Sequence, residues 1–244
     1  MSKKFNLKFG AAILGLAFLT SCGDIEPKGF IETKDIKVEE FKSLNAEGKF
    51  RLFYVNSPEN FVAVETYPNL ADNVDIYVKD NTLNIIEKRN VKKVDFYNIT
   101  IYSKYNLGNI SVSDSVELNL SSAIKTDNFK LILKNNAKFI GSVDSRKTDL
   151  EMENSSRANL LGNTEKAFVK IKDTASLIAP YWNIRNLDLQ TKNGIYAEVN
   201  VEDTLKGNVL NTSRLLYYND PIRAFKIDKS ANVENKKLED LNTK

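Results

Sequence analysis

Apolar positions along this chain follow two patterns. In the first half they alternate with polar residues in short runs; in the second half whole runs return at a nearly fixed interval. Val62-Ala63-Val64, Val74-Asp75-Ile76-Tyr77-Val78 and Ile99-Thr100-Ile101-Tyr102 are alternating and β-branched, which predicts strands, and helix signals are nearly missing. Lys79-Asp80-Asn81-Thr82 predicts a hairpin-like turn before Leu83-Asn84-Ile85-Ile86, because Asp and Asn tolerate left-handed backbone and bond locally.

From about Asn109 the chain repeats itself. One apolar column runs through Val112, Leu133, Met152, Ile171, Leu189, Val209 and Ile227, at steps of 21, 19, 19, 18, 20 and 18 residues. Two residues after each member stands Asp114, Asn135, Asn154, Asp173, Thr191, Asn211 or Lys229, nearly always a turn-former. A further two on come the mostly small Val116, Ala137, Ser156, Ala175, Asn193, Ser213 and Ala231, and then the apolar type returns as Leu118, Phe139, Ala158, Leu177, Ile195, Leu215 and Val233. Between the last two columns lie Glu117, Lys138, Arg157 and Arg214. A chain that returns every 20 or so residues can stack rungs about 4.8 Å apart, each pairing its backbone with the next. The apolar columns are then expected to face inward, the charged column to face water, and the Asx column to turn the corner. An antiparallel sandwich of evenly spaced strands is the alternative reading of the same spacing.

The N-terminal stretch follows a different grammar. Lys3, Lys4 and Lys8 precede an apolar run from Phe9 to Leu19, which Leu19-Thr20-Ser21-Cys22 closes. Basic, short apolar and small residues in that order predict a signal peptide over residues 1–21, and the run is too short to span a bilayer comfortably. Leu-Thr-Ser-Cys resembles a bacterial lipobox, which implies that Cys22 carries lipid and becomes the new N-terminus. Residues 22–33, with Asp24 and Glu26, are then expected to form a lipidated polar tether holding the body off the membrane. The body is expected as one all-β repeat domain over 34–236, followed by a polar tail at 237–244.

Removal of the leader changes the charge. Three of the 35 basic residues and none of the 32 acidic ones lie in residues 1–21, so the remainder holds 32 of each. That leaves none of the basic footprint that nucleic-acid binding usually requires. Cys22 is the only cysteine, so no internal disulfide can form, and histidine is absent. Ser-His-Asp and Cys-His catalysis and histidine-ligated metals are thereby excluded. No phosphate loop, zinc motif or calcium-binding repeat occurs, and no catalytic residue, metal or cofactor is expected.

Several segments resemble the putative auto-transporter adhesin family with the head GIN domain, common in lipoproteins of the Bacteroidota. They are Phe41-Lys42-Ser43-Leu44, Val62-Ala63-Val64-Glu65, Asn69-Leu70, Asp80-Asn81-Thr82-Leu83-Asn84-Ile85 and Leu107-Gly108-Asn109-Ile110-Ser111-Val112. The resemblance runs from about Phe41 to Lys236. It implies an elongated right-handed β-helix-like or β-roll domain, with the N-terminal strands packed on its first coils. Where that family has Gly-Ser-Gly corners, this chain has Asn135-Asn136-Ala137, Asn154-Ser155-Ser156 and Asp173-Thr174-Ala175. Wider corners are expected there, since a Cβ disfavours positive φ while Asn tolerates it.

Aromatic residues cluster on successive rungs near the C-terminal end: Tyr181-Trp182, Tyr196, Tyr217-Tyr218 and Phe225. Stacked aromatic faces can bind sugar rings, and they can equally cover a core with a polar tip exposed. Strand alternation places Tyr217 inward and makes Tyr196, Tyr218 and Trp182 the candidate glycan-facing residues. Asp114-Ser115-Val116, Asp173-Thr174-Ala175 and Asp203-Thr204-Leu205 resemble a Bacteroidota O-glycosylation motif, which marks Ser115, Thr174 and Thr204. These readings predict a lipid-anchored, non-enzymatic protein of the cell envelope, on the outer membrane, that binds a glycan or another envelope protein through its β-ladder. A polysaccharide-active enzyme and a structural spacer are the alternatives. A clustered Lys/Arg/carboxylate groove would favour the enzyme, an exposed aromatic strip a glycan, and a long uncapped edge a protein partner.

Overall fold

A computed structural model describes residues 23–238, and residues 1–22, with the expected leader and Cys22, lie outside the described residues, as do residues 239–244. The body is a β-solenoid of about seven turns. Its regular part begins with β8 (Asn109–Asp114) and β9 (Glu117–Leu120). It continues through the long strands β10 (Ile124–Leu133), β11 (Lys138–Met152), β12 (Arg157–Lys172), β13 (Ser176–Lys192) and β14 (Tyr196–Val209). Each of β11 to β14 bends, so it contributes to one side of the coil before the bend and to another after it. Neighbouring rungs pair in parallel, Leu133 with Met152 and Met152 with Ile171, for example. The coil closes with β15 (Arg214–Tyr218), β16 (Ile222–Ile227) and β17 (Asn232–Lys236).

The inward columns are buried from Val112 to Val209 and from Leu118 to Leu215, and the charged column, with Lys138, Arg157 and Arg214, faces water. One step of the expected alignment is wrong. Ile171 pairs with Thr191, not with Leu189, whose partner is Val169. The column is therefore Val112, Leu133, Met152, Ile171, Thr191, Val209 and Ile227, and on that rung the Asx, small and outer columns read Asn193, Ile195 and Ala197. Both Leu189 and Thr191 point inward, so alternation does not separate them. The Thr191 hydroxyl is satisfied inside the body, accepting from Leu210 N–H (2.9 Å) and donating to Ser213 Oγ (3.2 Å).

The corner is built on left-handed backbone despite the missing glycines. Asp114, Asn135, Asn154, Asp173, Asn193 and Asn211 all sit at φ between 55° and 69°. Asx side chains reach this region most easily among residues with a Cβ, because they bond locally. Here they also bond to one another along the axis: Asn135 Nδ2 donates to Asp114 Oδ1 (2.9 Å), Asn154 Nδ2 to Asn135 Oδ1 (2.9 Å) and Asn193 Nδ2 to Asp173 Oδ1 (2.8 Å). Gly207, at φ 124°, occupies a tighter place, where an added Cβ would lie 2.0 Å from the Leu189 carbonyl oxygen.

The N-terminal strands pack on the first coils, as expected, and do so by extending the ladder. The pair β2 (Ser43–Gly48) and β3 (Arg51–Asn56) stacks in parallel on β8 and β9, and β6 (Thr82–Glu87) and β7 (Tyr97–Ser103) stack on β2 and β3. Beyond them, β5 (Val74–Lys79) covers β6, and β4 (Phe61–Thr66) covers β7, both antiparallel. Strand β1 (Glu32–Lys37) then covers β4. The β5–β6 turn has Asp80 and Asn81 at φ 50° and 59°, as a two-residue hairpin needs. A four-residue helix, α1 (Pro68–Ala71), joins β4 to β5.

The segment expected as a free tether is seated against this end. Ile25 bridges Val91, Asp24 pairs with Lys92, Glu26 pairs with Lys93 at 2.9 Å, and Arg89 Nη2 donates to Gly23 O at 2.6 Å. Four backbone and side-chain contacts hold it there, because its acidic residues meet the basic loop 88–93.

Candidate functional site

The expected aromatic strip does not form. Trp182 is wholly inside the body, paired with Gly162 on the preceding rung. Tyr218 points outward by alternation, yet it is buried. The pairing of β13 with β14 is irregular between Ala179 and Asn183, and Pro180-Tyr181 occupies that irregularity, leaving Tyr181 near Tyr218. The Tyr218 hydroxyl donates to Glu198 Oε1 at 2.6 Å, and the Tyr196 hydroxyl donates to Glu198 Oε2 at 3.2 Å. Burial, helped by that carboxylate, pushes the Tyr218 hydroxyl well above the usual tyrosine range. Tyr196 is half-buried in the charged column, with the Arg214 guanidinium 5.9 Å from its ring centre. Tyr217 is inward and packs edge-on against Phe225, with ring centres 6.3 Å apart. Two of the three candidate residues are thus core cover, and the strip is withdrawn as a glycan site.

A groove of about 790 Å³ follows the second bend of the coil, lined by Lys125, Asp127, Asp144, Arg146, Asn163, Arg185 and Glu202 among others. Its charged groups bond from rung to rung. Arg146 Nε donates to Asp127 at 2.8 Å, Arg185 Nε donates to Asp203 at 2.9 Å, and Asp144 accepts from Asn163 Nδ2 at 2.8 Å. Asn183 continues the line by donating to Asn163 Oδ1 (3.0 Å), and Asn200 donates to Asn183 Oδ1 (2.9 Å). Carboxylates held this way serve as links in a ladder, whereas acid–base work needs a carboxyl free to meet a substrate proton. Among the described residues no group of three or more Asp, Glu, Cys or His could hold a metal ion.

The modification candidates differ in access. Ser115 and Thr174 are exposed at the Asx corner, while Thr204 is half-buried inside β14, paired with Asn186 and Ile222.

What the aromatic reading missed lies at the C-terminal end. Strand β16 pairs only with β14, and β17 only with β15, so each leaves one backbone edge without a strand partner among the described residues. Ile227 continues the inward column, but no rung among the described residues covers it and it is 54% exposed; Ile222 is 73% exposed. The other end is protected differently: four of the six residues of its outermost strand, β1, are charged, and Ile36 is its only apolar residue.

Similar solved structures share this architecture. A putative adhesin from Bacteroides fragilis is 20% identical with a TM-score of 0.77, covering 87% of this chain and 100% of that one. A putative adhesin from Parabacteroides merdae is 18% identical with a TM-score of 0.69 over 87% and 99%. A protein from Parabacteroides distasonis described as a putative lipid binding protein is 16% identical with a TM-score of 0.71 over 88% and 100%. No curated protein matches the chain. Residues 40–221 match the family described as "Putative auto-transporter adhesin, head GIN domain".

Proposed function

This chain belongs to the putative auto-transporter adhesin family with the head GIN domain, and from that premise we propose that it is a non-enzymatic binding protein of the cell envelope, held by lipid on Cys22 at the outer membrane, whose partner is a protein that adds a strand to the open C-terminal edge. The single observation that carries this reading is that edge: two strands that among the described residues are paired on one side only, with Ile222 and Ile227 exposed beside them. An extended segment placed there would gain a row of backbone hydrogen bonds and cover apolar side chains, which is how β-strand addition obtains its affinity. A polysaccharide-active enzyme would use the groove along the second bend, where the engagement of Asp127 and Asp144 by neighbouring rungs counts against it.

Photo-crosslinking in intact cells tests the reading. With Ile222→p-benzoylphenylalanine in the full chain, one discrete adduct with another envelope protein is expected, and Lys138→p-benzoylphenylalanine on the charged column should give none. No adduct at Ile222, or the same adducts from both positions, removes the edge as the binding site.

A further inference from the structure

We propose that the N-terminal corner is a membrane seat, in which Phe30 and Ile31 enter the lipid interface while neighbouring lysines meet headgroup phosphates. Phe30 is 91% exposed and Ile31 43% exposed, side by side on the segment that leads into β1. An exposed pair of large apolar residues is unusual enough on a soluble surface to mark contact with something apolar.

The occupant follows from where the chain enters. Residues 1–22 lie outside the structure, and the chain joins the body at Gly23, held by Arg89 on the loop 88–93. From there it crosses directly to the loop that carries α1: Asn69 Nδ2 donates to Glu26 O (2.9 Å), Lys28 N–H donates to Asn69 Oδ1 (2.9 Å), and Gly29 lies against Pro68. The two loops are themselves tied, since Asn73 Nδ2 donates to Arg89 O at 2.7 Å. Gly23 and Phe30 therefore occupy one braced corner, joined by a segment held at Gly23, Glu26 and Lys28. The inference rests on the reading that Cys22 carries lipid: a lipidated residue at this place brings Phe30 to the bilayer surface with it.

Charge on the corner suits that surface. Lys34, Lys92 and Lys93 have side chains more than half exposed, and Lys28 is exposed as well. Lys34, Lys92 and Lys93 each already pair with an acid, Asp72, Asp24 and Glu26 respectively, but an ammonium has three donors, and the exposed heads retain access to a second oxygen. Lysines beside an apolar wedge are attracted to an anionic leaflet and hold the wedge at the depth of the headgroups. Lipid, wedge and lysines on one rigid corner fix an orientation, which a single lipid on a loose tether does not.

The full chain, purified from membranes and reconstituted into phosphatidylcholine–phosphatidylglycerol vesicles with brominated acyl chains, decides the matter. Phe30→Trp should be quenched by the bromolipid, and Ile222→Trp, at the opposite end, should not; Trp182, inside the body, contributes a constant background. Replacing phosphatidylglycerol by phosphatidylcholine should weaken the Phe30→Trp quenching. Mass spectrometry of Cys22 reads the anchor separately. Lipid on Cys22 with no more quenching of Phe30→Trp than of Ile222→Trp overturns the seat and leaves the anchor standing. Unmodified Cys22 with Phe30→Trp quenched overturns the anchor and leaves the seat.

Discussion

Glu87 ends β6 half-buried, and its Oε1 has no hydrogen-bond partner. Burial pushes its carboxyl up to about 7 from the ordinary 4.5, Lys49 pulls it down and Asp114 pushes it further up. A carboxyl raised in the folded state favours the protonated protein. Its contribution is complete below the unfolded value and is lost as pH rises through the folded one, here between 4.5 and about 7. Allowing for its partial exposure to water, the loss is on the order of 1 kcal/mol. Glu87→Gln keeps the shape and removes the titration. Its melting temperature should match the parent at pH 4.5 and exceed it by about 2–4 °C at pH 8. Parallel melting-versus-pH curves for the two proteins would show that Glu87 does not couple to folding. This residue carried no signal in the sequence, because its environment is made by Lys49 and Asp114, which belong to other rungs. Tyr218 teaches the same lesson from the opposite side: alternation gave its direction correctly, but whether an outward residue is exposed depends on what Pro180-Tyr181 covers.

The ladder was legible because its elements share one residue pattern. Leu133, Met152 and Ile171 stack as expected, and the turn-forming column proved to be the corner, at positive φ from Asp114 to Asn211 once Asn193 replaces Thr191. The fourth step was misplaced by two residues because a leucine attracts an apolar column more strongly than Thr191 does. The extra residue that lengthens this rung sits in the irregularity after Asn159, where pairing shifts from Ile178 to Tyr181. A bulge of that kind changes spacing without changing the inward pattern, so no periodicity could locate it. The confirmed part of the column supports a direct comparison. Met152→Asp places an unpaired charge inside the coil and should cost several kcal/mol, whereas Lys138→Gln, on the water-facing column, loses one exposed ion pair and should cost less than about 1 kcal/mol. Chemical denaturation of both variants checks this, and equal losses would mean that the two columns do not face as described.

Across the whole molecule each rung touches only its neighbours, and stability is then a sum of rung and interface contributions. The two ends are unequal, since the N-terminal rungs are covered by β1, β4 and β5 while β16 and β17 have one open side. Amide hydrogen exchange should therefore be fastest in β16 and β17, slow progressively toward β12, and be slowest where β11 to β13 are paired on both sides. Uniform protection from β11 to β17 would contradict this gradient. The cap itself was the least legible part of the fold, because β2–β3 and β6–β7 join the stack at long sequence separation and leave no interval to count. The direction of the ladder has one more consequence. Its backbone hydrogen bonds run along the axis that separates the two ends, so a pull between those ends loads them one rung after another, never all together. The molecule should yield by peeling from the open end, and each released rung, at 18–21 residues and about 3.5 Å per residue, pays out roughly 65 Å of slack while the rungs behind it hold.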